Sequence, residues 1–266
     1  MSIEPTVPVS VSPVDGWFRA HAEGAAREVI DFFGGDGIQL TGKRVADVGA
    51  GDGSIDLGIA IRAQPAELVG FDIRLTDVDI LRAKALDAGI ADLPACLRFE
   101  LCGETTIPAP DRSFEFVVSW SAFEHILQPV PVLREVRRVL ADDGVLFIQV
   151  WPFYDSEHGS HLNDWFPEGF AQLNHSDADI LARLQAEPER NQGGEVMFDA
   201  YELLNKITVD QLHAALREAG FRIVKLELLS NAIHVPWTAR DLPPSRVGVA
   251  GVKLLAVKDP DPPSPL

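Results

Sequence analysis

The stretch Arg44-Val45-Ala46-Asp47-Val48-Gly49-Ala50-Gly51-Asp52-Gly53-Ser54 decides the fold. It opens as a short strand with apolar residues on both parities, the pattern of a strand buried on both faces of a parallel sheet. Its glycines then mark a tight strand-to-helix turn that lets a ligand lie against backbone amides. Outward from this turn, apolar runs at Arg44–Gly49, Glu67–Ile73, Leu97–Cys102, Phe114–Trp120 and Val145–Trp151 read as strands. Helical segments over Trp17–Phe33, Ser54–Ala63, Asp77–Ala88, Val130–Leu140 and Val209–Ala219 fill the gaps. Arg222–Leu229 and Gly248–Lys258 add two strands, the last expected antiparallel. The alternation predicts an α/β fold, a doubly wound sheet of about seven mostly parallel strands with helices on both faces.

Residues 1–15 read as a flexible arm, 16–258 as a single domain, and 259–266, with four prolines, as a disordered tail. The segment Pro152–Lys206 is too long for an ordinary connection and reads as an insertion at the ligand-bearing edge, a lid or substrate platform. Capping boxes are expected at Ser121 with Glu124 and at Thr208 with Gln211, and Gly220 is expected to close the helix that Thr208 opens.

Composition narrows the function. The 266 residues carry 23 Lys+Arg against 40 Asp+Glu, a formal net charge of −17, with no clustering of cations. Such a surface repels nucleic acid and anionic lipid, so neither is expected as a partner. No apolar run reaches membrane-spanning length and no targeting signal is read, so a soluble, cytoplasmic protein with a small-molecule partner is expected. Cys96 and Cys102 fit neither a disulfide framework nor a zinc spacing and read as reduced thiols.

The loop itself restricts the ligand. A dinucleotide fingerprint needs a third glycine at position 54, which is Ser54. Asp47 and Asp52 would also place negative charge beside a pyrophosphate. About 20 residues on, Asp72 ends the second strand, where its carboxylate can accept both hydroxyls of a ribose. A cationic nucleoside without phosphates meets these demands, and S-adenosyl-L-methionine is such a molecule.

At this point the residues resemble a known family, the class I S-adenosylmethionine-dependent methyltransferases, and within it the type 11 branch. The glycine loop is similar to the family's first motif, and Ile107-Pro108-Ala109-Pro110-Asp111-Arg112-Ser113-Phe114-Glu115 to the run before its fourth strand. Ser121-Ala122-Phe123-Glu124-His125 with Leu133-Arg134-Glu135-Val136-Arg137-Arg138-Val139-Leu140 resembles the stretch that follows. The resemblance implies a Rossmann-like methyltransferase with cofactor contacts from Asp47, Gly49, Ala50, Gly51, Asp72, Ile73, Ser119 and Trp120. It departs at Gly103, where relatives often carry an adenine-reading acid; Glu104 or backbone amides would take that task.

Methyl transfer needs alignment and exclusion of water more than acid–base help, unless the acceptor is a hydroxyl. His125, expected in the first turn of a short helix, and His158 and His161 in the polar loop after the fifth strand are the catalytic candidates. Glu124 reads as the capping partner of Ser121. His158 and His161 with Glu157 and Asp164 could hold a divalent cation, a less favoured reading, and no metal is assigned. Trp17 and His21 are candidates for covering the cofactor; His175, His213 and His234 receive no role. The polar loop points to O-methylation of a sugar-like hydroxyl. C- or N-methylation of a quinone-like ring, a nicotinamide-dependent oxidoreductase and a non-catalytic binding module are the alternatives.

Overall fold

The computed structural model describes residues 13–186 and 194–260. Helix α1 (Pro13–Arg19) passes through a π-helical turn, Ala20–Ala25, into α2 (Ala26–Gly34). Strand β1 (Arg44–Val48), α3 (Ser54–Ala63), β2 (Glu67–Asp72), α4 (Val78–Asp87), β3 (Leu97–Leu101), β4 (Phe114–Trp120), α5 (Pro129–Val139) and β5 (Leu140–Val150) follow. The long connection holds α6 (Ala171–Asn174), α7 (Asp177–Ala186) and α8 (Gly194–Glu202). The chain closes with α9 (Val209–Glu218), β6 (Phe221–Leu229), a 3₁₀ turn at Trp237–Ala239, α10 (Pro244–Val247) and β7 (Gly251–Lys258).

The seven strands form one sheet in the order β3-β2-β1-β4-β5-β7-β6. Strands β1 to β5 pair in parallel, and β7 runs antiparallel to both β5 and β6. Chain order reverses between β1 and β4, and in open α/β sheets ligands bind in the crevice beyond the carboxyl ends at such a point.

Strand parity divides the core. Ala46, Val48, Val117, Leu146 and Ile148 pack with Leu133 and Val136 of α5 and Leu212 and Leu216 of α9. Val45, Phe116, Val118 and Phe147 pack on the other face against Val29 and Phe33 of α2 and Ile59 of α3. Both faces are therefore covered, which is why the strands read as continuous apolar runs. Arg138 of α5 donates to the carbonyls of Ile107 and Ala109 and to Asp111, fixing the proline-rich run against the helix.

Several boundaries differ from expectation. Leu140 begins β5 rather than ending a helix, because α5 runs directly into the strand and Leu140 pairs with Phe114. Pro13–Asp15 already belong to α1, so only 1–12 of the expected arm lie outside the described residues; of the expected tail, 261–266 do. The capping box of Thr208 and Gln211 is present, and Gly220 follows α9 with φ +81°. The one expected at Ser121 is not: no helix forms there, and the Ser121 hydroxyl donates to Gln149 Oε1 at 2.8 Å. The insertion carries its own small core of Leu162, Trp165, Phe166, Ile180 and Leu184. Among the described residues no helix is long and apolar enough to cross a membrane.

Candidate active site

The glycine loop lies at the reversal of chain order. Gly49 takes φ +89°, and a Cβ there would come within 2.3 Å of Ala122 Cβ, so only glycine lets the loop pass the turn after β4. The amides of Gly49 and Ala50 donate to the Phe71 carbonyl at 2.8 and 3.2 Å, and that of Gly51 to Asp72 Oδ2 at 3.0 Å. Asp72 Oδ1 accepts from the Arg74 amide at 2.9 Å. A carboxylate has about four lone-pair sites, so each oxygen keeps room for a ribose hydroxyl. Ile73 beside it is 59 % exposed, an apolar surface of the kind a purine can cover.

The acidity around the loop is arranged differently from expectation. Asp52 is neutralised by Lys84 at 2.9 Å; burial opposes its charge, but hydrogen bonds from Lys84 and Ser54 override it and hold the pKa below the ordinary value. Asp47 is buried beneath the loop and faces the buried Asp56. Desolvation pushes Asp47 up to about 7, and Asp56 rises through burial and the charge of Asp47. Only Asp72 is left to offer charge to a cofactor hydroxyl.

The buried pair makes a prediction. A carboxyl with a raised folded-state pKa holds its proton where the unfolded chain has lost it, so its contribution to stability falls as pH rises from about 4 to about 7. Asp56→Asn gives Asp47 a hydrogen-bond donor without a proton to lose. The variant is expected to exceed the wild type at pH 8 by on the order of 1–3 kcal/mol, with the gap closing by pH 5. Chemical denaturation at both pH values checks this, and a gap independent of pH would refute the raised carboxyls as its source.

The remaining cofactor candidates lie at the end of β4 and just after β3. Ser119 is buried and donates to the Val48 carbonyl at 2.7 Å, tying β4 to β1, while Trp120 stacks on Phe147 with centroids 6.3 Å apart. Gly103 pairs with Thr106 across a tight turn, and a Cβ there would meet Thr106 Oγ1 at 2.4 Å, so no acid fits at that position without movement. Glu104 is exposed at the tip of that turn. The Cys102 amide donates to the Asp72 carbonyl at 2.9 Å, and burial, then the charge of Asp72, raises its thiol pKa. Exposed Trp17 of α1 and His21 of the following π-helical turn stack on each other at 3.9 Å.

Beyond the loop the structure gathers a set that the sequence did not suggest. Glu124, His125 and His161 each present a ligand atom within 4.8 Å of the others. Glu124 is 3 % exposed, neither of its oxygens has a hydrogen-bond partner, and burial drives its pKa up to about 8. His125 lies at the open side of the cluster; desolvation lowers its pKa. His161 falls to about 4 through desolvation, then through His125, against a hydrogen bond to the Pro152 carbonyl. The two imidazole rings meet edge to face at 5.4 Å. Asn205 holds the turn beneath them, its side chain donating to the carbonyls of Phe123 and Ile126 at 2.6 and 2.7 Å and its amide to that of Glu124 at 2.8 Å.

His158 does not join this set; it faces Glu157 at 3.7 Å and the Trp151 ring at 6.2 Å. Sequence reading missed Asn205 and misassigned Glu124, because the contacts that define both cross from the insertion to the turn after β4. The one local signal was Glu124 beside His125 at the end of a parallel strand.

The family model described as a methyltransferase domain matches residues 18–226. A ubiquinone biosynthesis O-methyltransferase of Neisseria meningitidis serogroup A is 30 % identical over 119 residues, 44 % of this chain and 48 % of that protein. A demethylmenaquinone methyltransferase of Thermus thermophilus is 32 % identical over 115 residues, 43 % of this chain and 50 % of that protein. The chain thus spans about half the length of the curated relatives it matches. Among solved structures, an S-adenosylmethionine-dependent methyltransferase from Aquifex aeolicus superposes with a TM-score of 0.53 at 15 % identity, covering 93 % of this chain and 98 % of that one. With the family model spanning most of the described sheet and the glycine loop at its reversal point, the chain belongs to the methyltransferase-domain family, on the class I S-adenosylmethionine-dependent fold.

Proposed function

We propose that this chain transfers the methyl group of S-adenosyl-L-methionine to the oxygen of an acidic, ring-borne hydroxyl on a small acceptor. The observation that carries the reading is the cluster of Glu124, His125 and His161 beside the glycine loop, where Gly49 touches the same turn through Ala122. The C–S bond of the cofactor breaks as the new O–C bond forms, and the acceptor's proton must leave. Groups in the cluster can receive it.

The acidity of the hydroxyl follows from the same groups. His125 is less basic than a free imidazole. A phenol-like hydroxyl titrates near 10, as tyrosine does, and an aliphatic alcohol loses its proton far less readily. A weakened base matches the former better, so a phenolic or quinol-type ring is preferred to the sugar hydroxyl expected from loop polarity. The curated relatives, named for ubiquinone and menaquinone chemistry, support a ring acceptor.

Labelled methyl transfer to catechol, to a hydroxyquinone and to a free hexose tests the reading. Label is expected on ring oxygen in the first two and absent from the hexose; label on the hexose, or on ring carbon, would overturn it. His125→Ala is expected to lower kcat on the order of 10²-fold or more, while calorimetric affinity for S-adenosyl-L-homocysteine stays within about twofold.

A further inference from the structure

We propose that Glu124, His125 and His161 form a binding site for a divalent first-row transition-metal ion, with open positions facing the acceptor. Three observations converge. The first is the donor set: two imidazoles and one carboxylate, with one ligand atom from each inside 4.8 Å. Ligand atoms ~2.0–2.2 Å from a tetrahedral ion lie about 3.3–3.6 Å apart, so closure needs approach of up to about 1.5 Å, shared among the three side chains.

The second is the orphaned polarity. Among the described residues, both Glu124 oxygens and His161 Nε2 are buried without a hydrogen-bond partner. Leaving a buried acceptor unpaired costs about 1–3 kcal/mol, and native structures keep such groups mainly where an ion, a water or chemistry uses them. Three such atoms around one point share a single explanation in a cation.

The third is the orientation of His161. Its Nε2 is buried with no hydrogen-bond partner among the described residues, while the Pro152 carbonyl lies against the ring. A tautomer protonated at Nδ1 would leave the Nε2 lone pair free for an ion. Metal-ligating histidines are held in this way, by donating the second ring nitrogen to a backbone carbonyl or carboxylate. His125, on the open side, leaves an entry path. Imidazole ligands favour zinc, iron, cobalt or nickel over magnesium and calcium, which prefer oxygen alone.

For the function, the ion would sit against the acceptor's oxygen and lower the cost of its losing a proton, and with the cluster's lone pairs on the ion that proton would leave to solvent past the exposed His125. That consequence rests on the proposed function; binding of the ion does not. Full-length protein stripped with chelator and titrated with Zn²⁺ by calorimetry, and with Co²⁺ by visible absorption, tests the site directly. One equivalent is expected to bind, and Co²⁺ to give d–d bands of a low-coordinate site. His161→Ala and Glu124→Gln should each weaken Zn²⁺ at least about tenfold, with calorimetric affinity for S-adenosyl-L-homocysteine retained as proof of folding. Failure to bind, or affinity unchanged in both variants, would overturn the site. Metal binding without methyl transfer to any acceptor would leave the site standing and sink the proposed function. Methyl transfer by a chain that binds no metal would do the reverse.

Discussion

Asp72→Ala should lower affinity for S-adenosyl-L-homocysteine by two to three orders of magnitude. Hydrogen bonds to a charged acceptor contribute about 1.5–3 kcal/mol each, and two ribose hydroxyls depend on this carboxylate in the proposed complex. Each ~1.4 kcal/mol is tenfold in affinity. The loss extends to the loop, because Asp72 also accepts from the amides of Gly51 and Arg74, and without it both the cradle and the turn after β2 relax. Asp72→Asn keeps one oxygen and no charge, and should fall between. Calorimetry decides: a drop of less than about threefold in Asp72→Ala would show that the nucleoside does not lie on this edge.

Gly49→Ala is the second large effect, and it is expected in both stability and binding. The residue sits at φ +89°, and the new Cβ would press on Ala122 Cβ at 2.3 Å. A non-glycine residue in the left-handed region costs ~1–2 kcal/mol and overpacking a further ~1–3 kcal/mol. A total of about 2–5 kcal/mol is expected by denaturant titration, together with loss of measurable cofactor binding as the loop is forced away from the turn. Gly51→Ala is the control: φ is +56°, but nothing lies within 4 Å of the added carbon. It should cost only the conformational part. Equal destabilisation in the two variants would mean that the close approach of loop and turn carries no energy of its own.

What could be read in the sequence was what local pattern determines. Two-faced burial made the strands apolar on both parities, and three successive left-handed glycines punctuated the end of β1. Thr208 with Gln211 formed its capping box because a helix does follow. Ser121 also has an acceptor side chain three positions ahead, Glu124, yet the Ser121 hydroxyl donates to Gln149 of β5 and no helix forms to be capped. Glu124 was thereby freed to turn inward. The pairing of His125 with His161 rather than His158 depends on where the insertion folds back, which its own core of Trp165, Phe166 and Leu184 decides. None of that is a property of a short window.

The insertion does not fold back alone. The Phe153 amide donates to the Ala250 carbonyl at 2.8 Å, Arg246 pairs with the nearly buried Asp155, and Phe170 packs with Ala239 and Val247 from the segment between β6 and β7. The insertion is thus braced by a stretch far along the chain, and both are separate from the strands that carry the glycine loop. Substitutions in either stretch can therefore reshape the edge beyond β5 while the glycine loop keeps its contacts with Phe71 and Asp72.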